Sequence, residues 1–139
     1  MTRNHEITNI TFMTELVYKK ECFEIIGCCY GAFNELGWGH REKTYQKAVE
    51  VFLDQKGFDV ESQLHVPIKI AEKTIGHHFI DVLVNGKIAI ELKVGDHFHK
   101  RDIDQLRSYL KSKNLLLGIL VNFSSKGAVY IRVPNVSNS

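Results

Sequence analysis

Residues 75–94 read IGHHFIDVLVNGKIAIELKV, a β-hairpin in apolar alternation with an Asn85-Gly86 turn signal at its middle. Ile75 to Val84 is the outgoing strand and Lys87 to Val94 the returning one. Successive strand side chains point to opposite faces, so Ile80, Val82 and Val84 share one face while Phe79, Asp81 and Leu83 share the other. In the second strand Ile88, Ile90 and Leu92 separate from Ala89, Glu91 and Lys93 in the same way. Burying the two aliphatic faces as one layer puts Asp81, Glu91 and Lys93 together on the opposite layer, because a slip of one residue would flip every side chain. A plain two-residue turn pairs Asp81 with Ile90 and gives the wrong parity. The pattern therefore predicts a three-residue loop or a bulge, with Gly86 in the left-handed conformation.

Two carboxylates and an amine gathered in this way suit a hard divalent cation and a positioned water. Mg²⁺ takes oxygen ligands and keeps several waters, so Asp81, Glu91 and the main-chain carbonyl of Leu92 make a partial shell with room for a phosphate. A cation so held acidifies a water and stabilises charge on a phosphodiester. Lys93, on the face of Glu91, can orient that water or neutralise the developing oxyanion. Glu-x-Lys on its own recurs by chance on salt-bridged sheet faces, so the reading leans on what flanks it.

Upstream, GHREKTY (residues 39–45) opens a helix; downstream, Gln105 and Tyr109 stand four residues apart on one helical face. With these pieces the chain resembles the GxxExxY proteins, a branch of the PD-(D/E)XK nuclease superfamily. Gly39, Glu42 and Tyr45 match the name-giving motif, Asp81 the acidic strand, Glu91 and Lys93 the Glu-x-Lys. Gln105 and Tyr109 match a Gln-x-x-x-Tyr element that also resembles that of RecB-type nucleases. The match runs in order from about Thr14 to Arg132. Phe79-Ile80 replaces the superfamily's Pro before its Asp, and His78 stands where many relatives carry Arg. The resemblance implies an α/β (α+β) chain with a restriction-endonuclease-like αβββαβ core, a central mixed sheet flanked by helices. It implies metal-dependent phosphodiester hydrolysis, of DNA, with Mg²⁺ or Mn²⁺ held by Asp81, Glu91, Leu92 and Glu42, the last directly or through water. It further implies that Gln105 bonds water or a phosphate and that Tyr109 and Tyr45 contact nucleic acid. As a bland alternative, Glu42 only favours the positive end of a helix, and Tyr109 only packs on the sheet.

At 139 residues the chain has room for one core. We assign residues 1–10 to a polar lead-in, 11–133 to a single domain and 134–139 to a polar tail. A formal net charge of +2 from 18 basic and 16 acidic residues gives no global field for nucleic acid. A nucleic-acid surface has to be local, and Lys100, Arg101 and Arg107 around the third helix are its candidates, against the plain reading of a solvated helix face. Cys22, Cys28 and Cys29 lack a partner set for a zinc or iron–sulfur site, so no iron–sulfur cluster is expected; nor is a nucleotide cofactor. Three thiols, no signal peptide and no long apolar span indicate a cytoplasmic protein without membrane association.

Along the chain, Leu16, Phe23, Ile26, Tyr30 and Phe33 form a stripe that predicts a helix over Thr11 to Leu36 with that face buried. A second helix runs to about Lys56 with Tyr45, Val49 and Phe52 inward and Gly57 as its stop. Residues 58–74 alternate as a strand whose Pro67 requires an edge, a bulge or a junction. Asp96 is the expected N-cap of a helix from His97 to Lys113. Leu115 to Phe123 suits a strand covered on both faces, and Ala128 to Val133 a final strand. His77, His78, His97 and His99 tempt toward a transition-metal site, but their spacing splays them. The competing functions are a catalytically weak nuclease-fold module that binds nucleic acid, and an accessory subunit of a repair or defence complex, homodimeric or joined to other chains through Trp38 and Phe98.

Overall fold

The computed structural model describes the backbone of residues 2–135 and side chains from residue 18 onward. Its elements are α1 (Thr2–Leu36), α2 (Glu42–Gln55), β1 (Val60–Ile70), β2 (Lys73–Val84), β3 (Ile88–Val94), α3 (Lys100–Lys113), β4 (Leu117–Ser124) and β5 (Gly127–Pro134). The five strands lie side by side in chain order in one mixed sheet, parallel only between β3 and β4, where α3 makes the crossover. This is the expected α/β arrangement. Helices α1 and α2 cover one face through a core that includes Ile25, Tyr45, Val49, Val82, Ile90 and Phe123. Helix α3 covers the other through Leu106, Tyr109, Leu110, Ile80 and Leu120.

Local chemistry sets the element ends. Helix α2 stops at Gly57, whose φ of +87° only glycine adopts freely; Phe58 N–H donates to Leu53 O at 3.2 Å and Gly57 N–H to Asp54 O at 2.9 Å, closing the last turn. Helix α1 begins at Thr2, not Thr11, so the lead-in is helical in its backbone; the end of the polar tail, from residue 136, lies outside the described residues. Helix α3 starts at Lys100 with His99 as its cap residue, three residues later than expected, and Asp96 caps nothing. The intervening segment is held instead by β4, where Asn122 Nδ2 donates to His97 O at 2.7 Å. Pro67 sits on the edge strand β1, where a missing N–H costs nothing.

The stripe assigned to the buried face of α1 is partly turned out. Phe23 is 80% exposed and Tyr30 39%, while Cys22, Ile25, Cys28, Cys29 and Ala32 carry the packing. The helix is apolar on two sides, and periodicity alone does not say which side the sheet takes. The three thiols are free and buried, and burial pushes that of Cys29 up to about 12.

Gly118 on β4 lets α3 approach, since a Cβ there would meet the Leu106 side chain at 2.9 Å, and Leu106 is fully buried. Gly118→Val is expected to destabilise the fold by roughly 1–3 kcal/mol through overpacking, read as a lower urea midpoint with an unchanged slope.

Candidate active site

The hairpin turn takes the predicted form. Val84 pairs with Ile88, Leu83 with Ala89 and Val82 with Ile90, leaving Asn85, Gly86 and Lys87 as the loop. Asn85 and Gly86 both have positive φ, +53° and +65°. Asn85 also exchanges bonds with Asp59, its N–H donating at 2.8 Å and its Oδ1 accepting at 2.9 Å.

The faces differ from the expected ones at the decisive position. Val82 and Val84 pack under α1 and α2, but Ile80 joins the α3 core with Leu83. Strict alternation would put Ile80 with Val82, so β2 reverses its faces at Asp81. The neighbouring strand β1 reverses at the same level. Val60 packs with the first core and Leu64 and Val66 with the second, and Gln63 between them has φ +51°. Register is kept across the reversal, with Ser62 opposite Val82 and Leu64 opposite Ile80.

Asp81 thus points along the sheet into the gap between β2 and β3. Its Oδ2 accepts the Leu92 N–H at 2.7 Å, where a main-chain ladder bond would otherwise lie. A strand residue's N–H and C=O leave by the same edge, so the Leu92 carbonyl also faces this gap. Gln46 of α2 donates to Asp81 O at 3.2 Å, and Gln63 Nε2 reaches Gln46 Oε1 at 2.8 Å and Asp81 Oδ1 at 3.4 Å. These two amides, which sequence reading missed, hold the acid in place.

Glu91 extends from β3 on the α3 side and is 1% exposed. Its Oε2 lies 2.9 Å from His78 Nε2, yet the two are not aligned as a hydrogen bond, and both atoms are buried with no other protein partner. Burial lowers the pKa of His78, with Lys93 acting in the same direction and Asp81 and Asp102 opposing it. Lys93 Nζ stands 3.8 Å from Asp102 Oδ1, a buried acid in the first turn of α3. Only the correct start of α3 would have flagged Asp102. Glu42 begins α2 with a pKa raised by burial, opposed by Lys93 and reinforced by Asp81 and Asp102. Burial, then the neighbouring Glu91, pushes Asp81 up to about 8; burial pushes Glu91 up to about 7.

Other candidates fall outside this centre. Tyr45 and Tyr109 are buried, at 0% and 1% exposure, and offer nucleic acid no surface. Tyr45 donates from Oη to Gly37 O at 2.6 Å and stacks on Phe123 with centroids 4.4 Å apart, pinning the α1–α2 loop. Tyr109 belongs to the α3 core. Gln105 is half-buried on α3, and Lys100, Arg101 and Arg107 are exposed on the same helix. Lys100 pairs with Asp104 at 2.8 Å, and Arg107 lies 3.9 Å from it.

Among the described residues, no three His, Cys, Asp or Glu side chains converge as a ready metal cage. The donors that do meet are Asp81 and Glu91, with an unpartnered Glu91 oxygen and a carbonyl edge beside them. That set fits a hard cation that brings waters of its own.

The raised pKa values fix a pH dependence. A carboxyl that holds its proton more tightly in the native state than in the unfolded chain contributes full stability below its ordinary pKa, 3.8 for Asp and 4.5 for Glu. That contribution is lost as pH rises through the native value. With chelator present, Tm is expected to fall by several degrees between about pH 4.5 and 8, and Asp81→Asn to flatten the slope; a flat wild-type profile would contradict the burial of these acids.

Comparison with solved structures bears on the fold alone. The solved structure of SSO0001 superposes with a TM-score of 0.54 at 21% identity, covering 90% of this chain and 64% of that one. An alkaline exonuclease (LHK-Exo) from Laribacter hongkongensis gives a TM-score of 0.44 at 13% identity, covering 61% and 51%. The chain thus spans about half to two thirds of the length of these structures. No curated protein matches it in sequence. Residues 19–133, most of the chain and all of the strands but their last residue, match the PD-(D/E)XK nuclease superfamily. A match over that much of the sequence shows the family, and the chain belongs to the PD-(D/E)XK nuclease superfamily.

Proposed function

We propose that the protein is a metal-dependent nuclease of the GxxExxY branch, hydrolysing phosphodiester bonds of DNA. The observation that carries this reading is the pair of buried carboxyls, Asp81 and Glu91, gathered beside the main chain of Leu92 and the amine of Lys93. Burial raises the proton affinity of both acids, and a pair of buried carboxylates is unfavourable without a compensating charge. A proton meets that need in the isolated chain, and Mg²⁺ or Mn²⁺ does so in the working enzyme. Asp81, Glu91 and the Leu92 carbonyl would hold the ion, with Glu42 reaching it through water. Bound there, the ion would acidify a water and neutralise charge on the phosphate.

The chain's own groups divide the remaining work. Lys93 orients the attacking water or stabilises the oxyanion, and Asp102 keeps its ammonium from swinging onto Glu91. Gln63 holds the carboxylate of Asp81 through Oδ1, and Gln46 holds its main-chain carbonyl and the Gln63 amide. Gln105, Lys100, Arg101 and Arg107 of α3 would meet the nucleic acid, Gln105 through its amide and the cations through phosphates. No described helix is long and apolar enough to cross a membrane; a cytoplasmic, nucleic-acid-bound protein is in keeping with that. The competing reading, a nuclease fold kept as a binding or accessory subunit, draws on the lack of a three-donor cluster among the described residues.

With Mn²⁺ and labelled plasmid and single-stranded DNA, wild type is expected to cleave, and Asp81→Ala, Glu91→Ala and Lys93→Ala to lose roughly 100-fold or more of the rate. Equal, metal-independent degradation by all four proteins rejects the enzyme. Independently of activity, millimolar Mn²⁺ is expected to raise Tm at pH 8 in wild type and not in Asp81→Asn.

A further inference from the structure

Beyond Asp81 and Gln63, β1 and β2 continue as a two-stranded arm that leans over α3, and the two enclose a cleft of about 660 Å³. Its floor is apolar, from Val66 and Ile68 of the arm. The helix wall supplies the amide of Gln105 and the hydroxyl of Ser108, and Lys69 and Arg101 stand at the rim. The acid on that wall, Asp104, is already neutralised by Lys100 at 2.8 Å. One end of the cleft is His78, whose Nε2 is 2.9 Å from Glu91 Oε2, so that imidazole is all that stands between the cleft and the buried candidate acid Glu91.

We infer that this cleft binds an unpaired nucleotide of the substrate strand, making single-stranded or frayed nucleic acid the substrate class. The inference rests on the nuclease reading for its catalytic meaning, but its chemistry is separate. A double helix offers a protein its phosphates and groove edges, and its base faces are stacked out of reach. An apolar floor is of use only to a base that has left the stack. The volume is that of a small-ligand pocket, suited to an unstacked base and far too small for a duplex. Amide and hydroxyl on one wall match base edges, and the cationic rim matches the flanking phosphates. A base seated here leaves its phosphate toward His78, beside Asp81 and Glu91.

Fluorescence anisotropy tests this with the full chain, in EDTA and at one fixed salt concentration. The probes are labelled oligo-dT, oligo-rU and a blunt DNA duplex closed by a hairpin loop. Wild type is expected to bind an unpaired strand at least tenfold more tightly than the duplex, the two oligonucleotides deciding between DNA and RNA. Ile68 is 40% exposed, so Ile68→Asn removes the floor's apolar face at little risk to folding. It is expected to weaken oligonucleotide binding about tenfold and leave duplex binding unchanged, and Ile68→Phe to restore it. Equal binding of strand and duplex, no binding of either, or an Ile68→Asn effect that falls on both alike overturns the inference. Asp81→Asn separates the two proposals, because it is expected to abolish cleavage while oligonucleotide binding persists. A wild type that binds the strand through Ile68 yet cleaves nothing in Mn²⁺ sinks the nuclease reading and keeps the cleft.

Discussion

The hydrogen bond from Leu92 N–H to the Asp81 carboxylate, 2.7 Å long and buried, organises this protein. It replaces a main-chain bond of the β2–β3 ladder with a side-chain one. The strands can then part without leaving a buried N–H unsatisfied. Parting them creates the gap, and the gap lets a carboxylate sit within a sheet instead of above it. Everything polar nearby answers to that placement. The two glutamines approach from the α2 side, Glu91 and His78 from the α3 side, and Lys93 with Asp102 from the end where α3 begins.

Burial is what makes the arrangement chemically demanding. In water, neighbouring carboxylates repel weakly; here both have lost most of their hydration, and desolvation is the largest cause of the raised pKa of each. Electrostatic strain of this kind marks structures shaped for a task more often than for stability. The same burial lowers the pKa of His78 beside them.

Much of this was legible in the residue order. Element order, the three-residue loop with left-handed Gly86, the stop at Gly57 and the edge position of Pro67 all follow from turn chemistry and alternation. The grouping of Asp81 with Glu91 was also foreseen, but for an incomplete reason. Uniform alternation does not hold: the strands reverse faces at Asp81 and Gln63, where Asp81 bonds the Leu92 N–H and Gln63 bonds Asp81. The period of two carries no sign of such a reversal. Tyr45 and Tyr109 are both buried, a placement their motifs do not announce. A motif records that a residue is required, and a tyrosine is as readily required for stacking on Phe123 or filling a core as for touching a ligand. In α1 the difficulty was an excess of apolar residues, which left two faces equally eligible for burial.

The reversal of faces has an evolutionary corollary. Inside it, nearly every side chain of β2 is sealed in a core; outside it, from Lys73 to Phe79, most are open to solvent. Selection can therefore rewrite the outer half of the hairpin almost freely while the inner half stays fixed. A lineage of such proteins would diversify what it recognises by mutating one projecting ribbon, leaving the chemistry behind it untouched.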